Sequence, residues 1–163
     1  MDKLWAPWRV NYIRNIKKKK GCIFCASVKG KTKDYVVFNT KHSAAMLNIF
    51  PYNNGHMLVS PARHICSLAQ LNDEEAIDLF KAINKTQRLL DKVLKPNGYN
   101  IGINLGRAAG AGITGHLHVH VVPRWVGDTN FMPVLSGTKI ISQSLDELYK
   151  QLKNAQSKTN QRD

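Results

Sequence analysis

The sequence predicts an α+β domain: a mostly antiparallel sheet of five strands, one long helix and one C-terminal helix. Three observations predict it. Five short apolar or alternating runs are separated by turn residues, the pattern of strands in a meander. One longer run carries a helix-start signature and apolar residues at helical spacing. With 163 residues, 43% of them hydrophobic, the chain is long enough to bury one ordinary core.

The elements follow in order. Residues 1–20 are basic, include Trp5 and Trp8, and read as an arm packed on the domain or on a partner. The domain proper is predicted over residues 21–152, with a polar tail over 153–163. Strands are predicted over residues 35–38, 44–49 and 56–60, the last two separated by the turn cluster Pro51-Tyr52-Asn53-Asn54-Gly55. Asn72 then forms an N-cap, and Glu75 three residues later completes a capping box. Asp73, Glu74 and Glu75 place negative charge at the positive end of the helix dipole. Ile77, Phe80, Ile83, Leu90 and Leu94 fall near one face, and Pro96 and Gly98 stop the helix. Leu79, Leu89 and Val93 lie off that stripe and are candidates for a second buried face. A strand over residues 99–105, a glycine-rich loop over 106–115, a strand over 116–122 and a helix over 145–152 complete the prediction. Hairpin-like connections around one long helix make the sheet mostly antiparallel.

Lys and Arg number 24 against 11 Asp and Glu, a formal charge of +13. Such a chain attracts polyanions such as nucleotides, polyphosphates or nucleic acid, although part of the surplus lies in Lys17, Lys18, Lys19, Lys20 and the tail, where solvated charge is common. No apolar run reaches the roughly 20 residues of a membrane span. The start, MDKLWAPWRV, lacks the apolar core of a signal peptide, so a cytoplasmic location is expected. Three Cys then favour metal or thiol chemistry over a disulfide framework.

The segment that carries chemistry is Gly115-His116-Leu117-His118-Val119-His120-Val121-Val122-Pro123-Arg124-Trp125. On a strand, His116, His118 and His120 share one face, while Leu117, Val119 and Val121 share the other. The apolar set fixes the register against the core. Neighbouring imidazoles lie roughly 6.5–7 Å apart, a spacing at which two rings can serve one phosphate.

His116-x-His118-x-His120 followed by two apolar residues resembles the signature of the histidine triad family of nucleotide-binding hydrolases and transferases. The resemblance runs from Cys22 to about Phe131. Leu47-Asn48-Ile49-Phe50-Pro51, Asn54-Gly55-His56 and Pro61-Ala62-Arg63-His64 look like the family's first nucleotide-binding half. Leu4-Trp5-Ala6-Pro7-Trp8-Arg9 and Gly127-Asp128-Thr129-Asn130-Phe131 look like the branch that contains microbial diadenosine tetraphosphate phosphorylases. The resemblance implies that His118 attacks phosphorus to form a nucleotidyl-histidine and that His120 donates to a phosphate oxygen. It further implies that Asn48 holds the ribose hydroxyls and that Asn104 contacts the phosphate region. Backbone N–H groups of the loop around Gly112 can cradle phosphates. Many relatives carry Gln or Ser shortly before the triad; here the stretch is Ala111-Gly112-Ile113-Thr114-Gly115, and Thr114 is its one hydroxyl. The resemblance also implies a homodimer whose sheets join. Alternative activities from the same residues are a nucleoside phosphoramidase, or a zinc-bearing nucleic-acid binder that processes adenylated ends.

Cys22-Ile23-Phe24-Cys25 is a C-x-x-C, compatible with a redox pair, half a zinc site or two small buried residues. A thioredoxin-like helix is disfavoured by the residues that follow, Ala26-Ser27-Val28-Lys29-Gly30. Zinc needs four ligands. The resemblance supplies His64 and His116 as the other two, with Cys66 a local alternative and His56 a weaker one. Under that assignment zinc is structural, and His116 anchors the catalytic strand instead of touching substrate.

Overall fold

The computed structural model of the protein describes residues 21–28, 30, 35–129, 133, 135 and 140–159. The predicted arm at 1–20, with Trp5 and Trp8, lies outside the described residues, as do Asn130, Phe131 and the end of the tail. The elements are α1 (Ile23–Val28), β1 (Val36–Asn39), β2 (Ser43–Leu47), β3 (Met57–Pro61), a 3-10 turn (Leu68–Gln70), α2 (Asp73–Leu94), β4 (Gly98–Ile103), β5 (Val119–Arg124) and α3 (Leu145–Thr159). Among the described residues no helix is long and apolar enough to cross a membrane.

The predicted five-stranded sheet is present, in the order β1-β2-β3-β5-β4 with every neighbouring pair antiparallel. The alternation of side chains divides it into two faces. Val37, Ala45, Leu47, Met57, Val59, Val119 and Val121 turn toward α2 and α3 and form the main core with Leu79, Ala82, Ile83, Leu89, Leu90, Leu148 and Leu152. Met46 and Leu58 turn the other way and meet Phe24 of α1 in a second, smaller cluster. Leu58 stands opposite His120 in the β3–β5 ladder, so the histidine face is the face that α2 and α3 leave uncovered.

The capping box of α2 is formed as predicted: Glu75 N–H donates to Asn72 Oδ1 (2.9 Å) and Asn72 N–H to Glu75 Oε2 (3.1 Å). Lys95, with φ of 46°, ends the helix in a left-handed turn directly before Pro96. The buried face differs from the predicted stripe. Ile77 is 56% exposed and Phe80 74%, whereas Leu79 and Leu89, read as off-stripe, belong to the core and Val93 packs against it. The face is chosen by Leu79, Ala82, Thr86 and Leu89/Leu90, where a small and a polar residue mask the periodicity. Thr86 is tolerated there because its hydroxyl donates to the Ala82 carbonyl (2.8 Å). Gly55 is a positional necessity: its φ is 74°, and a Cβ would collide with Leu94 of α2.

α3 runs to Thr159, seven residues beyond the predicted end and through much of the stretch read as polar tail. Leu148 and Leu152 are buried, Ala155 packs on the same core, and Lys153 Nζ donates to the Val37 carbonyl (3.1 Å). A polar surface helix held by one apolar edge looks like tail in composition alone.

Candidate active site and metal centre

β5 starts at Val119, three residues after the expected start at 116, so a bend at His116 and the irregular Leu117 and His118 form the approach to it. The Leu117 N–H donates to the Ile65 carbonyl (2.6 Å), which holds that approach to the segment carrying His64. Val119 and Val121 are fixed in the helix-side core, which directs His118 and His120 to the opposite face. All three triad rings are buried. The His118 and His120 centroids are 5.1 Å apart, closer than the pleat spacing predicts. His116 and His118 are separated by an inserted ring: Phe24 lies 5.1 Å from His116 and 4.9 Å from His118.

Hydrogen bonds fix the protons. The His116 carbonyl only accepts, so His118 donates Nδ1–H to it (2.8 Å) and keeps its lone pair on Nε2. The Tyr52 N–H donates to His56 Nδ1 (3.0 Å), so His56 carries its proton on Nε2 and donates it to His120 Nδ1 (2.9 Å). His120 then carries its own proton on Nε2, and this nitrogen is buried without a protein partner among the described residues. A buried donor left open this way is costly in the free protein and is satisfied by an incoming acceptor. Burial pushes all three pKa values down. His56 falls to about 3, with His120 and His118 adding repulsion; His120 falls to about 4, with His118 adding; His118 falls despite its bond to the His116 carbonyl. Neutral rings agree with the tautomers that the bonds require.

The four expected metal ligands come together. Donor atoms of Cys22, Cys25, His64 and His116 all lie within 4.8 Å of one another. Cys22 Sγ and Cys25 Sγ are 3.2 and 3.6 Å from His116 Nδ1, Cys25 Sγ is 3.2 Å from His64 Nδ1, and the two nitrogens are 3.2 Å apart. Metal–N bonds of about 2.0–2.1 Å and metal–S bonds of about 2.3 Å imply tetrahedral edges of roughly 3.3–3.8 Å, and the separations above lie close to that range, so the set fits zinc. His116 Nε2–H donates to the Pro61 carbonyl (2.9 Å), which leaves Nδ1 bare for a metal. Neither alternative ligand belongs to this cluster. Cys66 is exposed and bonds Gln70 (3.6 Å to Oε1), and His56 serves His120. Arg63, next to His64, donates from Nε and Nη2 to the two Glu75 oxygens (2.7 and 2.6 Å) and also to the Gln70 carbonyl. Arg63 and then the Asn72 N–H hold the Glu75 carboxyl down to about 2, so the ligand loop is stapled to the start of α2 by a permanent charge pair.

The remaining predicted residues surround this core. Asn48 accepts the Phe50 N–H (2.9 Å), and its amide nitrogen lies 3.3 Å from His56 Nδ1, so it borders the histidine file. Asn104 follows β4 and faces Gly110 across the loop, its amide nitrogen 3.9 Å from where a Gly110 Cβ would sit. Gly112 and Thr114 are exposed on either side of Ile113, which packs on the Phe24 cluster and pins the loop. Tyr52 and Phe24 escaped the sequence reading of the active centre, and His56, placed there in the nucleotide-binding half by resemblance and as a weaker metal alternative, was not read as the partner of His120. The signal for His56 was its parity with Leu58, directly before the strand that pairs with β5.

The HIT domain family model matches residues 29–126. The chain belongs to the HIT domain family. An AP-4-A phosphorylase of Mycobacterium tuberculosis is 38% identical over 154 residues, covering 89% of this chain and 79% of that protein. A bis(5'-nucleosyl)-tetraphosphatase [asymmetrical] of Schizosaccharomyces pombe is 41% identical over 93 residues, 57% of this chain and 50% of that protein. Among solved structures, a Zn-bound histidine triad family protein from Mycobacterium smegmatis superposes with a TM-score of 0.71 at 28% identity, covering 88% of this chain and 98% of that one. The α+β HIT fold expected from the triad signature is therefore the fold of this chain.

Proposed function

We propose that this HIT-domain protein is a nucleotidyl transferase or hydrolase that cleaves dinucleoside polyphosphates such as diadenosine tetraphosphate. The observation that carries the reading is a pair of neighbouring imidazoles with complementary protonation: a lone pair on His118 Nε2 and an open N–H on His120 Nε2. His118 Nε2 attacks phosphorus, a P–O bond breaks, and the nucleoside polyphosphate departs with the bond's electron pair. The His120 N–H stabilises the charge that builds on a non-bridging oxygen, and His56 holds it in that role. Water or inorganic phosphate then attacks the nucleotidyl-histidine and releases His118. Asn48 binds ribose, while Asn104, Gly112, Thr114 and His120 bind the phosphates. Zinc on Cys22, Cys25, His64 and His116 supplies a structural cross-link between α1, the segment after β3 and the approach to β5. The likeness to the AP-4-A phosphorylase supports this substrate class, and a C-x-x-C that joins a metal cluster in place of a disulfide framework fits a cytoplasmic setting.

The test is product analysis with diadenosine tetraphosphate, with and without phosphate. ADP plus ATP only when phosphate is present means phosphorolysis, and AMP plus ATP means hydrolysis. Full turnover by His118→Ala rejects the mechanism.

The proposal includes a homodimer. β4 lies at the sheet edge with Ile101 exposed, and α2 carries exposed Ile77 and Phe80. Tyr99 of β4 donates to Asp91 (2.7 Å) and to the Gln87 carbonyl (3.2 Å), which ties the helix to that edge. A second copy pairing along β4 covers an open strand edge. Sedimentation at micromolar concentration is expected to give a dimer, and Phe80→Glu a monomer.

A further inference from the structure

We propose that Phe24 is a positioning residue that couples the metal knuckle to the plane of the His118 ring. Phe24 lies between the two cysteine ligands in sequence and between two histidines in space. Its ring is fully buried, tilted 43° to His116 and stacked at 28° on His118. The imidazole χ2 torsion is soft and roughly two-fold, so a single hydrogen bond leaves the ring free to rock about it. The His116 carbonyl fixes one edge of His118, and the face of Phe24 fixes its plane. Together they set the direction of the Nε2 lone pair.

Phe24 is held from the metal side. α1 has six residues, too few to be stable alone, and Cys22 and Cys25 bracket the aromatic ring with two of the four ligands. Met46, Leu58 and Ile113 close the remaining sides, so the ring has no second place to go. A metal on these ligands would therefore act on the nucleophile through one apolar side chain and through the His116 carbonyl. His116 takes part twice, as a ligand through Nδ1 and as the carbonyl that receives the His118 proton.

The test uses full-length, zinc-loaded protein, with Phe24→Ala and Phe24→Leu. Leu fills much of the volume but has no flat face. Zinc is counted by elemental analysis, and the His118 ring nitrogens are read by 1H–15N correlation spectra assigned with His118→Ala. In wild type, His118 is expected as one tautomer protonated on Nδ1. In Phe24→Ala, with zinc retained, averaged nitrogen signals and a kcat at least about 10-fold lower at near-constant KM are expected. Phe24→Leu is expected to fall between the two. Wild-type His118 signals in both variants overturn the proposal, as does a loss confined to KM or one fully restored by added zinc. The kinetic arm rests on the reading of function above, while the spectra need no substrate; a wild-type protein that turns over nothing but shows the predicted spectra rejects that reading and leaves this one standing.

Discussion

The two faces of the sheet are made by the same strands and follow different rules. Val119 and Val121 face α2 and α3 and meet other carbon atoms: Val59, Leu90 and the remainder of a core of aliphatic side chains. His118 and His120 face the other way, and each of their four ring nitrogens has a specific role: a bond to a carbonyl, a bond to a neighbouring imidazole, an open donor and an open lone pair. The helix-side face is specified by volume and tolerates exchange of one apolar shape for another. The histidine side is specified atom by atom, since a buried donor or acceptor without a partner costs more than a small void. The first face fixes the register, and the second depends on it.

The largest separation between the faces is expected from His118→Ala and Leu90→Ala. Removing the nucleophile is expected to lower kcat by about 10^4-fold or more. Denaturant unfolding should show that this variant remains folded. Leu90 is fully buried on the other side, and its truncation is expected to cost about 2–5 kcal/mol. Its kcat per folded molecule should stay within about threefold of wild type. A Leu90→Ala enzyme that is stable but inactive would mean that the faces are not separable.

A smaller loss is expected from His56→Ala. The change leaves the Tyr52 N–H and His120 Nδ1 without their partner and lets His120 take the other tautomer. About 100-fold in kcat is expected, the size of a positioned proton donor. Ring-nitrogen spectra of His120 check the cause: its proton should leave Nε2 for a mixture of sites. Unchanged spectra with lowered kcat would assign His56 another role.

What the sequence reveals follows the same division. Alternation in residues 119–122 is local, so the side that His120 faces was readable from period; His116 and His118 precede β5 and are placed by the Leu117–Ile65 and His118–His116 hydrogen bonds, and the four metal ligands came with the family likeness. The capping box at Asn72 and Glu75 was readable because it spans only four residues. The buried side of α2 was not, because Ala82 and Thr86 carry the contact and add nothing to an apolar stripe. The His56–His120 bond joins residues 64 apart and exists only because β3 pairs with β5. Phe24 reads as a spacer between cysteines until the metal cluster folds it onto His118.

The finest distinction between the faces is their response to acid. His120 and His56 titrate at about 4 and about 3 in the folded protein, below the ordinary 6.5, because burial disfavours their charged forms. Between those values and 6.5 the unfolded chain binds more protons, so stability falls as pH falls. The contribution is complete above pH 6.5, drains away toward pH 4 for His120 and pH 3 for His56, and changes no further below. Glu75 adds a separate loss from about 4.5 toward 2, because Arg63 and the Asn72 N–H favour its carboxylate in the folded state. Urea unfolding at pH 7.5, 6.5, 5.5 and 4.5 therefore isolates the histidines. Leu90→Ala is expected to lower the whole curve in parallel, since it removes no titrating group. His56→Ala is expected to flatten the slope between 6.5 and 4.5, because one of the buried imidazoles that take up a proton on unfolding is gone. Parallel curves for both variants would show that His56 is not among the groups that make this fold acid-sensitive.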